Sequence, residues 1–112
     1  MNLEMTTHDG VPVAALSGRL DLRGASEFRL QVAAAIAGAA DRLVLDLSDV
    51  EFIDSSGLGV LAGLHREAER HGTRMAIVVP RGSARQIFAL TRTEGFFHLV
   101  PTLEDSHAAF GT

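Results

Sequence analysis

Asp54, Ser55, Ser56, Gly57 and Gly59 stand in one run, DSSGLG, where an apolar stretch hands over to a helical one. Residues of these types could supply a hydroxyl nucleophile, a cradle for an anion, or a hydroxyl that accepts a phosphoryl group. A nucleophile elbow needs Gly-x-Ser-x-Gly, and the residues two before Ser55 and Ser56 are Ile53 and Asp54. His65 and His71 fall on the same helix as the serines and cannot reach back to them. His8, His98 and His107 show no pairing pattern with an acid, and most of the five histidines read as plain surface residues. The run Gly57 to Ala62, GLGVLA, fits the Gly-x-Gly-x-x-Ala turn of a dinucleotide fold. That fold also needs an acid about 20 residues on, at the end of the next strand. The next strand ends AIVVPRG, without one, and the chain is too short for two nucleotide-binding halves. Asp46 at a strand end suggests a phosphoryl-receiver domain, but the acidic pair and the later lysine such a domain requires are both missing.

The absence of lysine removes further chemistry. All ten fixed cations are arginine, so neither a Schiff base nor a Walker-type phosphate loop can form. There is no cysteine, hence no disulfide and no thiolate metal site. No cofactor and no metal are expected. A net charge of −4, with both signs spread along the chain, argues against direct nucleic-acid binding. The longest apolar runs are too short to span a membrane, and MNLEMTTHDG lacks the features of a signal peptide. A cytoplasmic protein, a monomer or weak dimer, is expected. At 112 residues, 46% of them hydrophobic, one domain over 1–112 is expected.

These residues need a scaffold, and the sequence outlines one. NLEMTTH and VPVAALSG are strand candidates joined by Asp9-Gly10, a strong hairpin signal. Pro12, without a donor, belongs near the strand start. ASEFRLQVAAAIAGAA places Phe28, Val32, Ile36 and Ala39 at helical spacing, with Gly38 as a stop. RLVLDLS has the continuous apolar pattern of a doubly covered strand, with Asp46 expected to be buried and bonded to a loop. GLGVLAGLHREAERHG is a helix burying Leu58, Leu61, Leu64 or His65, and Ala68, and ending at Gly72. RMAIVVP is a buried strand. SARQIFALTRTEG is a helix opening with a Ser83–Gln86 capping box and ending at Gly95. FFHLVP is a short strand, and TLEDSHAAF a short helix capped by Thr102. This alternation predicts a mixed, mostly parallel α/β sheet of four to five strands, with an antiparallel N-terminal hairpin and about four helices.

Within that scaffold DSSG also makes an ordinary helix start, because Asp and Ser cap well. The glycines argue for more. Gly57, Gly59 and Gly63 share one helix, each costing about 1 kcal/mol against alanine. Gly57 and Gly59 would leave the first turn bare for a close approach, while Gly63 suits packing on the sheet. Ser56, at or near the first helical position, would present a phosphoryl group to free amides and the positive helix end. The added charge of about −1.5 to −2 would leave the fold intact and disturb a partner docked on it.

The segment LVLDLSDVEFIDSSGLGVLAGLHREAERHG, Leu43 to Gly72, resembles the central motif of the anti-sigma factor antagonists, the STAS domains. LSGRLD, Leu16 to Asp21, is similar to their Gly-x-Leu-Asp signature, and the segment from Met75 to Phe110 fits in spacing and type. The resemblance implies helices mainly on one face of the sheet and no catalysis. It implies that the unphosphorylated protein binds an anti-sigma factor that is also an ATP-dependent serine kinase, and so frees a sigma factor. The kinase would phosphorylate Ser56, and a metal-dependent serine phosphatase would reverse the modification. It places Arg19, Asp21, Asp54, Ser55, Gly57, Leu58 and Gly59 in or beside the partner-binding surface. Asp21 could equally brace its own loop, Asp54 could serve chiefly as a cap, and Ser55 could be structural. Arg19 stands where relatives often carry an acid, and Gly24 where they carry a hydroxyl. Two other functions stay open: a STAS module of a stressosome or lipid-transport system, and a STAS domain binding a nucleotide or small anion.

Overall fold

A computed structural model describes residues 2–39 and 41–110. The chain begins with β1 (Asn2–His8) and β2 (Val11–Leu20), paired antiparallel. Asp9 and Gly10 turn the chain with φ of 50° and 82°, the left-handed pair that matches strand twist in a two-residue hairpin. Pro12 is the second residue of β2, as its missing donor requires. Then follow α1 (Ala25–Gly38), β3 (Arg42–Ile53), α2 (Ser55–Arg70), β4 (Arg74–Val78), α3 (Ser83–Leu90), β5 (His98–Val100) and the short α4 (Ser106–Ala109).

The five strands lie in the order β1-β2-β3-β4-β5, and every pair after the hairpin is parallel. Each crossover thus steps one strand in the same direction. Right-handed crossovers that never reverse direction put their helices on one face, and α1, α2 and α3 share one core. Phe28, Val32 and Ile36 of α1 and Leu58, Leu61, Leu64 and Ala68 of α2 meet Leu16, Leu43, Leu45, Leu47 and Ile77 of the sheet. Phe88 of α3 joins them. Burying a side chain of this size is worth about 1.5–3 kcal/mol. The alternate residues Val13, Val44, Ala76 and Val78 point to the other face, where Phe110 covers them. Both faces of the central strands are therefore apolar, which explains the unbroken run of hydrophobic residues in β3 and β4. Arg74 Nη1 donates to the Phe110 carbonyl and pins the chain there.

Several local expectations need correction. β3 does not end near Ser48 but runs on to Ile53, so the DSSG segment follows it directly. Asp46 is half-buried and accepts from the amide and hydroxyl of Ser48, within its own strand rather than from a loop. Ser83 does not take the cap position: α3 starts at Ser83, Gly82 is its N-cap, and the helix stops at Leu90, well before Gly95. Thr102 closes a turn with Asp105 instead of capping α4 directly. Gly63 is exposed, with no heavy atom within 4 Å of where its Cβ would stand, so it does not serve close packing on the sheet.

His65 is the buried polar residue of α2, 9% exposed, set among Phe96, Phe97 and His98. Its Nδ1 has no partner. Burial holds its pKa below the ordinary 6.5; Glu69 at 3.6 Å opposes this, while His98 and Arg66 add to it. The unfolded chain therefore takes up a proton on this residue at a higher pH than the folded one does. Its neutral burial contributes fully above the unfolded pKa and is lost as pH falls through it towards the folded pKa. We expect the Tm to fall between about pH 7 and pH 5, less steeply in His65→Leu than in the wild type. Parallel Tm–pH curves for the two proteins would refute this.

Candidate functional site

The DSSG segment sits where the far ends of β2 and β3 meet the start of α2. Arg19 pairs with Phe52 and Leu20 with Ile53, and the Asp54 amide then donates to the Leu20 carbonyl at 3.2 Å. β2 reaches this register through two irregularities, one at Gly18, whose φ of 106° favours glycine. That requirement gives the glycine of LSGRLD a physical reason.

Asp54 is the N-cap of α2. Its backbone is extended, its Oδ1 accepts from the Gly57 amide at 2.9 Å, and its carbonyl accepts from the Leu58 amide at 2.9 Å. Of the open readings for Asp54, the cap is the one the geometry fills. Ser55 follows as the first helical residue, exposed, and Ser56 as the second, half-buried. A helix has no internal carbonyl for the amides of its first turn, and Asp54 already occupies that of Gly57. The first turn carries no acidic residue, and Arg70 lies in the last. An anion on Ser56 would therefore meet the positive end of a 16-residue helix, with the Asp54 carboxylate as its one acidic neighbour at the helix start.

The two glycines expected to open the first turn separate. A Cβ on Gly57 would collide with the Leu20 carbonyl oxygen and stand 2.6 Å from Leu20 Cγ. The space beside Gly57 is filled by β2 of the same chain, so this glycine serves the joint between β2 and α2 and not the approach of a partner. Leu58, also placed at the partner surface by the resemblance, is 8% exposed and belongs to the core. Gly59 is exposed, with no heavy atom within 4 Å of a Cβ placed there. Of the two, Gly59 is the one with open space beside it.

Asp21 braces its loop: its Oδ1 accepts from the amides of Arg23 at 3.1 Å and Gly24 at 3.3 Å. The Gly24 bond is the main reason its carboxyl titrates below the usual range, with Arg19 helping and partial desolvation opposing. Gly24 is the N-cap of α1 and gives no side-chain bond; Asp21 holds the amides just before the helix and not those of its first turn. The Arg19 Nε lies 3.5 Å from Asp21 Oδ2, and its guanidinium lies 4.4 Å from the centre of the Phe52 ring.

Two residues here escaped the sequence reading. Leu22 is 76% exposed in the loop after β2, and Phe52 is 39% exposed beside Arg19. Exposed apolar side chains beside a candidate switch residue are what a docked partner would cover. The usable signal was Phe52 itself, an aromatic residue that the end of β3 leaves exposed beside the buried Ile53. The histidine reading also needs correction. His107 and His8 both converge on Asp9, with Nε2 to Oδ2 distances of 2.6 Å and 3.5 Å. His71 and His98 are exposed, as expected.

The model of the STAS domain family matches residues 2–106. An anti-sigma F factor antagonist of Paenibacillus polymyxa is 30% identical over 106 residues, covering 94% of this chain and 88% of the relative. The crystal structure of an anti-sigma factor antagonist from Mycobacterium paratuberculosis superposes with a TM-score of 0.85 at 32% identity, covering 96% of this chain and 92% of the other. The Bacillus cell fate determinant SpoIIAA in its phosphorylated form superposes with a TM-score of 0.64 at 27% identity, over 97% of both chains. Family model, relative and fold agree, and the chain belongs to the STAS domain family of anti-sigma factor antagonists.

Proposed function

We propose that this protein is an anti-sigma factor antagonist switched by phosphorylation at Ser56. In this reading the unphosphorylated form acts in the cytoplasm. It binds an anti-sigma factor that is also an ATP-dependent serine kinase, through Arg19, Asp21, Leu22, Phe52, Ser55, Ser56 and Gly59. Binding releases the sigma factor. Transfer of a phosphoryl group to Ser56 ends the complex, and a metal-dependent serine phosphatase restores it. The protein itself performs no catalysis.

The observation that carries the reading is the position of Ser56. It is the second residue of α2, held by the Asp54 cap, at the end of the domain that bears Leu22 and Phe52. A dianion there is tolerated by the helix start and is badly placed for an apolar contact. The names of the relatives, and a neighbour known in a phosphorylated form, support the same reading. The rival reading, a nucleotide in the glycine-lined helix start, is disfavoured by the strand order. Ligand crevices in open α/β sheets form where that order reverses, and β1-β2-β3-β4-β5 has no reversal.

Incubation with the cognate kinase and ATP, followed by peptide mapping by mass spectrometry, tests the assignment. One phosphoryl group is expected, on Ser56, with no labelling of Ser56→Ala. Label on Ser55, or full labelling of Ser56→Ala, would end it.

A further inference from the structure

At the other end of β2 from the serines, three side chains from two distant parts of the chain converge. Asp9 is the first turn residue of the hairpin and His8 the last residue of β1, while His107 comes from α4, 98 positions later. His107 Nε2 stands 2.6 Å and His8 Nε2 3.5 Å from the same oxygen, Asp9 Oδ2. One possible ligand atom from each of the three residues lies within 4.8 Å of the others. The two imidazoles tilt at 45° with their centres 5.6 Å apart, so they flank the carboxylate and do not stack on each other.

Both sides of the cluster are fixed. The left-handed Asp9-Gly10 turn sets His8 and Asp9. His107 lies between Ser106 and Phe110, which are buried 3% and 2% exposed on the far face of the sheet. Asp9 is exposed and both histidines are half-buried, so an ion can enter from solvent and keep water in its remaining positions.

The geometry points to a binding site for a divalent transition ion, Zn²⁺ by preference, formed by His8, Asp9 and His107. Two imidazoles and a carboxylate are the donor set of an open zinc site, with Zn–N and Zn–O bonds of about 2.0–2.2 Å. Tetrahedral bonds of that length separate the donor atoms by about 3.3 Å, so the His107–Asp9 pair opens slightly as the ion replaces the proton between them. Imidazole donors select Zn²⁺ over the harder Mg²⁺ and Ca²⁺. The ion would tie the hairpin to α4. β2 spans ten residues, about 30 Å at strand rise, so the ion would act far from Ser56.

The test is isothermal titration of the full chain with ZnCl₂ at pH 7.5, with MgCl₂ as the control. One Zn²⁺ per chain is expected, with micromolar affinity, no Mg²⁺ binding, and a Tm that rises with free Zn²⁺. Loss of an outer-shell partner alone weakens a metal site about 10–100-fold, so the ligand variant His8→Ala/His107→Ala should lose at least as much. Asp9→Asn keeps the hairpin, because asparagine also adopts the left-handed turn, and should weaken binding while the Tm without metal stays near the wild type. No Zn²⁺ binding by the wild type would overturn the site and leave the cluster a salt bridge. Unchanged affinity and stoichiometry in both variants would overturn it as well, by placing the ion elsewhere.

Discussion

Ser56→Asp is expected to weaken binding to the kinase partner by about a hundredfold or more, while Ser56→Ala binds like the wild type. The carboxylate would enter a contact that loses its water, and an unpaired charge in such a contact costs about 2–5 kcal/mol. About 2.8 kcal/mol, well inside that range, is a hundredfold in affinity. The same charge lies at the positive end of α2, where a dipole gain of about 0.3–1 kcal/mol offsets repulsion from the Asp54 carboxylate at the cap. Folding and binding should therefore part company, with an unchanged or slightly raised Tm beside a large loss of affinity. Equal binding by both variants in a titration with purified partner would remove Ser56 from the switch. A Tm well below the wild type for Ser56→Asp would show that its effect on binding comes through the fold.

Gly57→Ala and Gly59→Ala, only two positions apart, should act in opposite directions. The methyl group on Gly57 has no room, because the obstacle is the Leu20 backbone carbonyl rather than the end of a flexible side chain. Relief requires β2 and α2 to move apart, which breaks the Asp54–Leu20 bond and disturbs the Asp54 cap. Overpacking of this kind costs about 1–3 kcal/mol, a Tm loss of about 5–15 °C in a domain of this size. Gly59→Ala meets open space and should gain up to about 1 kcal/mol from helix propensity. Its methyl group would stand on the proposed partner surface, so a higher Tm should come with weaker binding. Thermal melts of the two variants decide the matter. A Gly57→Ala protein as stable as the wild type would show that the joint between β2 and α2 yields more easily than this packing implies.

The fold was legible because its signals are local. Asp9-Gly10 names its own turn, Phe28, Val32 and Ile36 mark one helix face, and the apolar runs of β3 and β4 announce burial on both sides. Ser56 stood out as a candidate because a cap, two serines and two glycines lie in one uninterrupted run. The sequence was silent on contacts between distant segments. Nothing in DSSGLG says that Leu20 fills the space beside Gly57 and leaves the space beside Gly59 empty. No spacing rule joins Asp9 to His107 across 98 positions. The capping box failed for a related reason: Ser83-x-x-Gln86 has the right letters, but Gly82, at φ 144°, takes the cap position one residue earlier.

The strand order has a consequence for how the molecule is made. Strands appear in the sheet in the sequence in which a ribosome releases them, and no later strand has to insert between two already joined. The hairpin needs only a two-residue closure, which takes microseconds. Each parallel strand after it adds to an open edge after one helix has closed the loop. The joint beneath Ser56 needs β2, β3 and the first turn of α2, all within the first 57 residues or so of the chain. The proposed partner surface can therefore take shape before the last two strands have left the ribosome.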